Sequence, residues 1–177
     1  MEAREIERCI DEFGTDIYRF CLKLCMSRQD AEDLYQQTFL KALESRRTLD
    51  WEENPRAFFF SVAHNLWKSD RRKAARRSAI APCMSMDEGQ EHLIRSGVDP
   101  EQDYFRKETA AEISRIIGAL PKKFRIPLTL FYLFDFKVEQ IGRMTGTPPG
   151  TVKSRLFKGR KMIKKRLEEA GYGEERF

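Results

Sequence analysis

Apolar residues recur at three- and four-residue intervals from the first helix-length window of the chain. Ile6, Ile10, Phe13, Ile17, Phe20 and Leu24 are spaced 4, 3, 4, 3 and 4 apart, which predicts one long helix with a single packing stripe. After the polar break Ser27-Arg28-Gln29-Asp30, the residues Ala31, Leu34, Tyr35, Thr38 and Ala42 predict a second helix. Either Ser27 or Asp30 is placed to cap it. Asn54 followed by Pro55 is a cap-then-proline start for a third helix running towards Arg77. Periodicity then fails from Ser78 to Asp99, where Pro82, Gly89 and Gly97 interrupt a polar stretch that reads as a flexible linker. It resumes at Pro100, with Ile113, Ile116, Ile117 and Leu120 closing one helix before Pro121. A further helix is predicted over about Lys122 to Phe134, with Pro127 in its first turns, where a missing donor does least harm. Strand-like alternation is nowhere sustained. The fold class is all-α.

The last part of the chain predicts a helix pair. Val138, Ile141 and Met144 make a short amphipathic helix, Thr145-Gly146-Thr147 breaks it, and Pro148 and Pro149 enter a longer one. That longer helix lies in TPPGTVKSRLFKGRKMIKKRL (Thr147 to Leu167), which holds eight Lys and Arg and no acid. Two helices joined by a tight glycine-containing turn, the second of them basic, are the pattern of a helix-turn-helix. Val152, Leu156, Ile163 and Leu167 form its core face, leaving Thr151, Ser154, Arg155 and Lys158 outward near its N-terminal half. Helix N-termini favour phosphate oxygens, and short Ser and Thr beside long Arg and Lys suit contact with base edges. A solvated helix face would usually mix charge signs, so DNA is the expected ligand. Gly159, inside this helix, costs about 1 kcal/mol relative to Ala and implies either close packing or a slight bend.

Charge sharpens this division. Residues 1–53 carry 8 basic and 13 acidic side chains, 54–77 carry 7 and 1, 78–119 carry 4 and 8, and 120–177 carry 14 and 6. Two basic blocks, each preceded by an acidic one, point to two polyanion contacts behind the net charge of +5. The chain of 177 residues, 41% hydrophobic and 34% charged, has the composition of a folded soluble protein. Its most apolar stretch, Leu128 to Phe134, is far shorter than the roughly 20 residues of a membrane span, and the acidic N-terminus is unlike a secretory signal. A cytoplasmic location is expected, with no membrane insertion. Cys9, Cys21, Cys25 and Cys83 have neither metal-ligand nor disulfide-framework spacing, so buried, reduced thiols are expected rather than a metal site. Nothing resembles a nucleophile–base pair, a phosphate-binding glycine loop or a cofactor motif. No catalytic residue, metal or cofactor is expected.

Two longer stretches carry a family resemblance. QDAEDLYQQTFLKAL (Gln29 to Leu43) and NPRAFFFSVAHNLWKSDRRKAARR (Asn54 to Arg77) resemble the second region of bacterial sigma factors. Leu120 to Leu167 is similar to the fourth region, and the order and spacing match the short extracytoplasmic-function sigma factors. The resemblance implies a region 2-like module over 1–77, a linker over 78–99 and a region 4-like module over 100–177. It implies a factor that binds core RNA polymerase, through the β′ clamp helices and the β flap, and directs it to promoter DNA. It also implies an anti-sigma protein as a partner.

Residue by residue, the resemblance assigns Asp33, Gln36 and Gln37 to polymerase docking; Gln37 stands where Glu is usual. The loop from Leu49 to Pro55 and the third helix, through Asn65, Trp67, Lys68, Arg71, Arg72 and Lys73, match the part that engages the −10 element. Catching an unstacked base and holding a single strand suits such cations and aromatics, although Trp51 or Trp67 serves equally as core. His64, in the same helix, is expected to be an exposed polar residue. Thr151, Lys153, Ser154, Arg155, Lys158 and Arg160 fall to the −35 element. Gly142 replaces the usual Ala and Thr145 a larger apolar residue, which should loosen the short helix slightly. The alternative is a helix-turn-helix regulator that binds operators as a dimer without polymerase.

Overall fold

The computed structural model describes residues 3–25, 27–45, 54–80 and 113–171. Its helices are α1 (Ala3–Cys25), α2 (Arg28–Glu44), α3 (Pro55–Ile80), α4 (Lys122–Tyr132), α5 (Val138–Thr145) and α6 (Pro149–Glu169). Residues 113–118 are also helical, and the described residues include no strand. The chain divides into two compact units, one of residues 1–90 with 142–147, built on α1–α3 and the end of α5, and the other of residues 91–141 with 148–177, which holds α4 and α6. The linker expected over 78–99, Trp51 and Cys83 fall outside the described residues, apart from the last helical turn of α3.

In the first unit α1, α2 and α3 each pack on the other two. Ser27 is the cap of α2, its Oγ accepting from the Asp30 N–H at 3.4 Å. Asn54 takes a left-handed φ of 66°, and its Oδ1 accepts from the Ala57 N–H at 3.1 Å, which starts α3 at Pro55. Phe20 stacks on Phe60 with centroids 4.7 Å apart, and Phe39 lies 4.9 Å from both Tyr35 and Phe59. At the edge of this aromatic core Arg56 donates to Asp16 at 2.7 Å, joining α3 to α1.

The α1 stripe differs from expectation at one position. Ile10 is 40% exposed, while Cys9 is fully buried. A straight helix turns about 100° per residue, so the core line runs through Ile6, Cys9, Phe13, Ile17, Phe20 and Leu24. Cys21 is also buried and Cys25 half-buried, all three as free thiols. Burial pushes Cys9 up to about 11, with Glu12 adding to the effect, and Cys21 up to about 12. They remain protonated and act as small apolar residues. Among the described residues no group of His, Cys, Asp and Glu is arranged to hold a metal. No described helix is long and apolar enough to cross a membrane.

In the second unit α4 packs on α6. Pro127 sits in the second turn of α4, which ends at Tyr132 rather than Phe134. Arg125, itself buried, donates from Nη1 to the Gly118 carbonyl at 3.1 Å and secures the preceding turn. Gly159 is buried, and a Cβ there would lie 2.6 Å from Leu128 Cδ1 and 3.2 Å from its Cγ. Its role is close packing. Gly159→Ala gains about 1 kcal/mol of helix propensity but overpacks a site already filled by the fully buried Leu128, at a cost of about 1–3 kcal/mol. The expected result in a thermal melt is net destabilisation by about 1 kcal/mol. Leu128→Val in the same chain should recover part of that loss.

Candidate nucleic-acid interface

The turn between α5 and α6 is set by Gly146, whose φ is +62°. The Thr147 N–H donates to the Gly142 carbonyl at 2.9 Å and the Gly146 N–H to the Arg143 carbonyl at 3.4 Å. This pair of bonds closes α5 in a Schellman motif and turns the chain at once into the next helix. Gln140 Oε1 accepts from the Lys137 N–H at 2.9 Å at the other end of α5. Pro148 caps α6 without a side-chain hydrogen bond, and Pro149 occupies its first turn. Neither proline has an N–H, and the Thr151 and Val152 N–H groups donate to the Pro148 carbonyl at 2.9 and 3.0 Å, so Gly150 carries the outermost N–H of α6.

Val152, Leu156, Gly159 and Leu167 are buried on one side of α6, with Ile163 half-buried between them. At about 100° per residue, Thr151, Ser154, Arg155 and Lys158 align on a second side. Ser154 and Lys158 are exposed, and Thr151 and Arg155 are half-buried. The Ser154 hydroxyl donates to the Thr151 carbonyl at 2.9 Å, so its oxygen still has capacity to accept from a base. Lys153 and Arg160, grouped with these by sequence, fall on a third side. Arg160 donates to Tyr132 Oη at 3.4 Å, and the neighbouring Lys161 lies 4.7 Å from the Phe157 ring centroid. The basic helix thus carries a polar and basic row on one side and further cations on a separate flank.

In α3 the side chains of Asn65, Lys68, Arg71, Arg72 and Lys73 are all exposed. Asn65, Lys68 and Arg72 share one row, which Arg76 extends. Lys73 lies 3.4 Å from Asp70. Trp67, left by the sequence between a −10 contact and the core, is 9% exposed, with the Arg71 guanidinium over its ring at 5.7 Å. Its burial places it among the core side chains. His64 is likewise only 5% exposed. Desolvation, helped by the positive charge of Lys68, lowers its pKa to about 4, so the ring is neutral near pH 7.

On α2 the outer row consists of Asp33, Gln36 and Gln37, all exposed, opposite the buried Ala31, Leu34, Thr38 and Ala42. Leu40 stands in the same row and is 59% exposed, with Leu43 beside it at 40%. Sequence reasoning passed over Leu40. Its position seven residues after Asp33 and four after Gln36 is the signal that could have found it.

Two family models match the chain: Sigma-70 region 2 over residues 9–77 and Sigma-70, region 4 over residues 110–163. The sequence is 30% identical over 176 residues to the ECF RNA polymerase sigma factor SigL of Mycobacterium tuberculosis, covering 96% of this chain and 93% of that protein. It is 26% identical over 163 residues to the ECF RNA polymerase sigma factor SigW of Bacillus subtilis, covering 90% and 87%. Among solved structures, the fold matches the sigma factor RpoE from Bartonella quintana, crystallised with the anti-sigma factor NepR. That match has a TM-score of 0.76 and 21% identity, and covers 94% of this chain and 98% of that one. It also matches CnrH in complex with the cytosolic domain of CnrY, with a TM-score of 0.63 and 16% identity over 95% and 90%.

Proposed function

The chain belongs to the extracytoplasmic-function sigma factors of RNA polymerase, and from that membership we propose how its surfaces divide the work. It binds core RNA polymerase and directs it to promoters to start transcription. It is an initiation factor and catalyses no reaction. The outer row of α2, with Asp33, Gln36, Gln37 and Leu40, docks on the polymerase β′ clamp helices. A central apolar side chain ringed by polar ones is the usual anatomy of a protein contact. The exposed cations of α3, with Asn65, take the −10 element, and the Thr151–Ser154–Arg155–Lys158 row of α6 takes the −35 element. Lys153 and Arg160 grip the adjoining phosphates. The β flap is the second polymerase contact, made by the C-terminal unit, and the protein works in the cytoplasm. The module boundaries are residue 77 and residue 100.

One observation supports this over an operator-binding regulator. Similarity to sigma factors extends through the N-terminal helices, where the α2 row stays exposed on a helix whose other side is fully packed. A regulator needing only its helix-turn-helix has no use for that unit. RpoE is seen with the anti-sigma factor NepR and CnrH with the cytosolic domain of CnrY, and we extend an anti-sigma partner to this chain. Run-off transcription with core enzyme over a promoter library tests the assignment. Specific transcripts should appear only when the protein is added, and an anti-sigma protein that binds it should suppress them. Transcription unaltered by the protein would return the regulator to first place.

A further inference from the structure

The cations of α3 are not held alike. Lys73 faces the Asp70 carboxylate at 3.4 Å, so part of its charge is already answered within the helix. Arg71, two residues earlier, instead has its guanidinium over the Trp67 ring, 5.7 Å from the centroid and within cation–π range. The platform is firm, because Trp67 is buried and its ring lies 6.0 Å from that of His64. Arg71 itself is exposed. A guanidinium carries its five N–H donors in its own plane, so stacking by a face leaves the donor edge available for oxygen acceptors.

We infer that Trp67 is a positioning residue, whose buried indole holds the Arg71 guanidinium by its face so that the donor edge is presented to the promoter phosphates. The inference rests on the proposal that α3 contacts the −10 region. It gives the buried tryptophan a part in promoter binding without requiring it to touch DNA. A flexible Arg loses rotamer freedom when it grips a phosphate, and one already ordered on a ring loses less. The arrangement raises affinity without adding charge.

The test uses holoenzyme assembled from the full chain and core polymerase, bound to a labelled promoter duplex carrying a premelted −10 region. Arg71→Ala should weaken binding about 10-fold and reduce the salt slope by about one phosphate contact. Trp67→Leu should weaken it about 3- to 10-fold with the slope unchanged, because the number of charges is the same. Trp67→Phe, which keeps an aromatic face, should stay within about 3-fold of the parent. The double variant Trp67→Leu/Arg71→Ala should be no weaker than Arg71→Ala alone. Multiplying effects in the double variant, or equal losses for Trp67→Phe and Trp67→Leu, would overturn the inference and leave the promoter contact standing. No effect of Arg71→Ala would overturn the contact itself, and the inference with it. If Trp67→Leu fails to fold, Arg71→Lys gives the same comparison: it keeps the charge but not the planar stack, so full affinity would overturn the inference and a loss at unchanged salt slope would support it.

Discussion

Replacing Asp33 and Gln36 together with Ala should abolish capture of this protein by core RNA polymerase in a pull-down. The circular dichroism spectrum and melting temperature should be little altered. Both side chains are exposed on α2, and the packing of that helix is carried by Ala31, Leu34, Thr38, Phe39 and Ala42 on its other side. Neither Asp33 nor Gln36 belongs to the cap, which is Ser27. Alanine is also the best helix former, so the double change does not weaken the helix. Leu40→Arg extends the test, because a cation in the middle of the row meets the partner without a matching group. The few hot-spot residues of an interface, which cluster near its centre, each cost about 2 kcal/mol or more on truncation, or about 30-fold in affinity. Undiminished capture of the double variant would remove the main reason for preferring a sigma factor to a plain regulator at this surface.

The second large effect separates sequence reading from phosphate gripping along α6. Arg155 lies less than two turns into the helix, at the depth where side chains of an inserted helix reach bases. Lys164 lies more than two turns further on and faces Glu168 at 3.8 Å. Arg155→Ala should cost about 1–3 kcal/mol on the cognate −35 element and relax the preference at one or two base pairs. Lys164→Ala should weaken cognate and scrambled elements alike, by a smaller amount, and make the affinity less sensitive to salt. Holoenzyme binding to the two duplexes at several salt concentrations measures both. An equal loss on cognate and scrambled DNA for Arg155→Ala would make Arg155 a further phosphate contact.

Much of this molecule is determined by local sequence. The 3.6-residue period places α1 and α2. Asn54-Pro55 starts α3, and Thr145-Gly146-Thr147 turns α5 into α6, because caps, prolines and left-handed glycines act within a few residues of themselves. The basic rows of α3 and α6 and the polar row of α2 follow from the same spacing. What needed the tertiary structure was every question of which neighbour lies across the gap. Cys9 rather than Ile10 is buried because α1 keeps a single straight contact line against its partners. His64 and Trp67, polar or amphipathic by type, are buried, and no periodicity argument distinguishes an enclosed ring from an exposed one on a helix this basic. Leu40, passed over in the sequence, stands exposed because the opposite side of α2 is already full. Gly159 was ambiguous between bend and close contact, and Leu128, 31 residues away, decides for contact. Helix formation is local, whereas burial depends on residues distant in the chain, and only the folded chain brings those together.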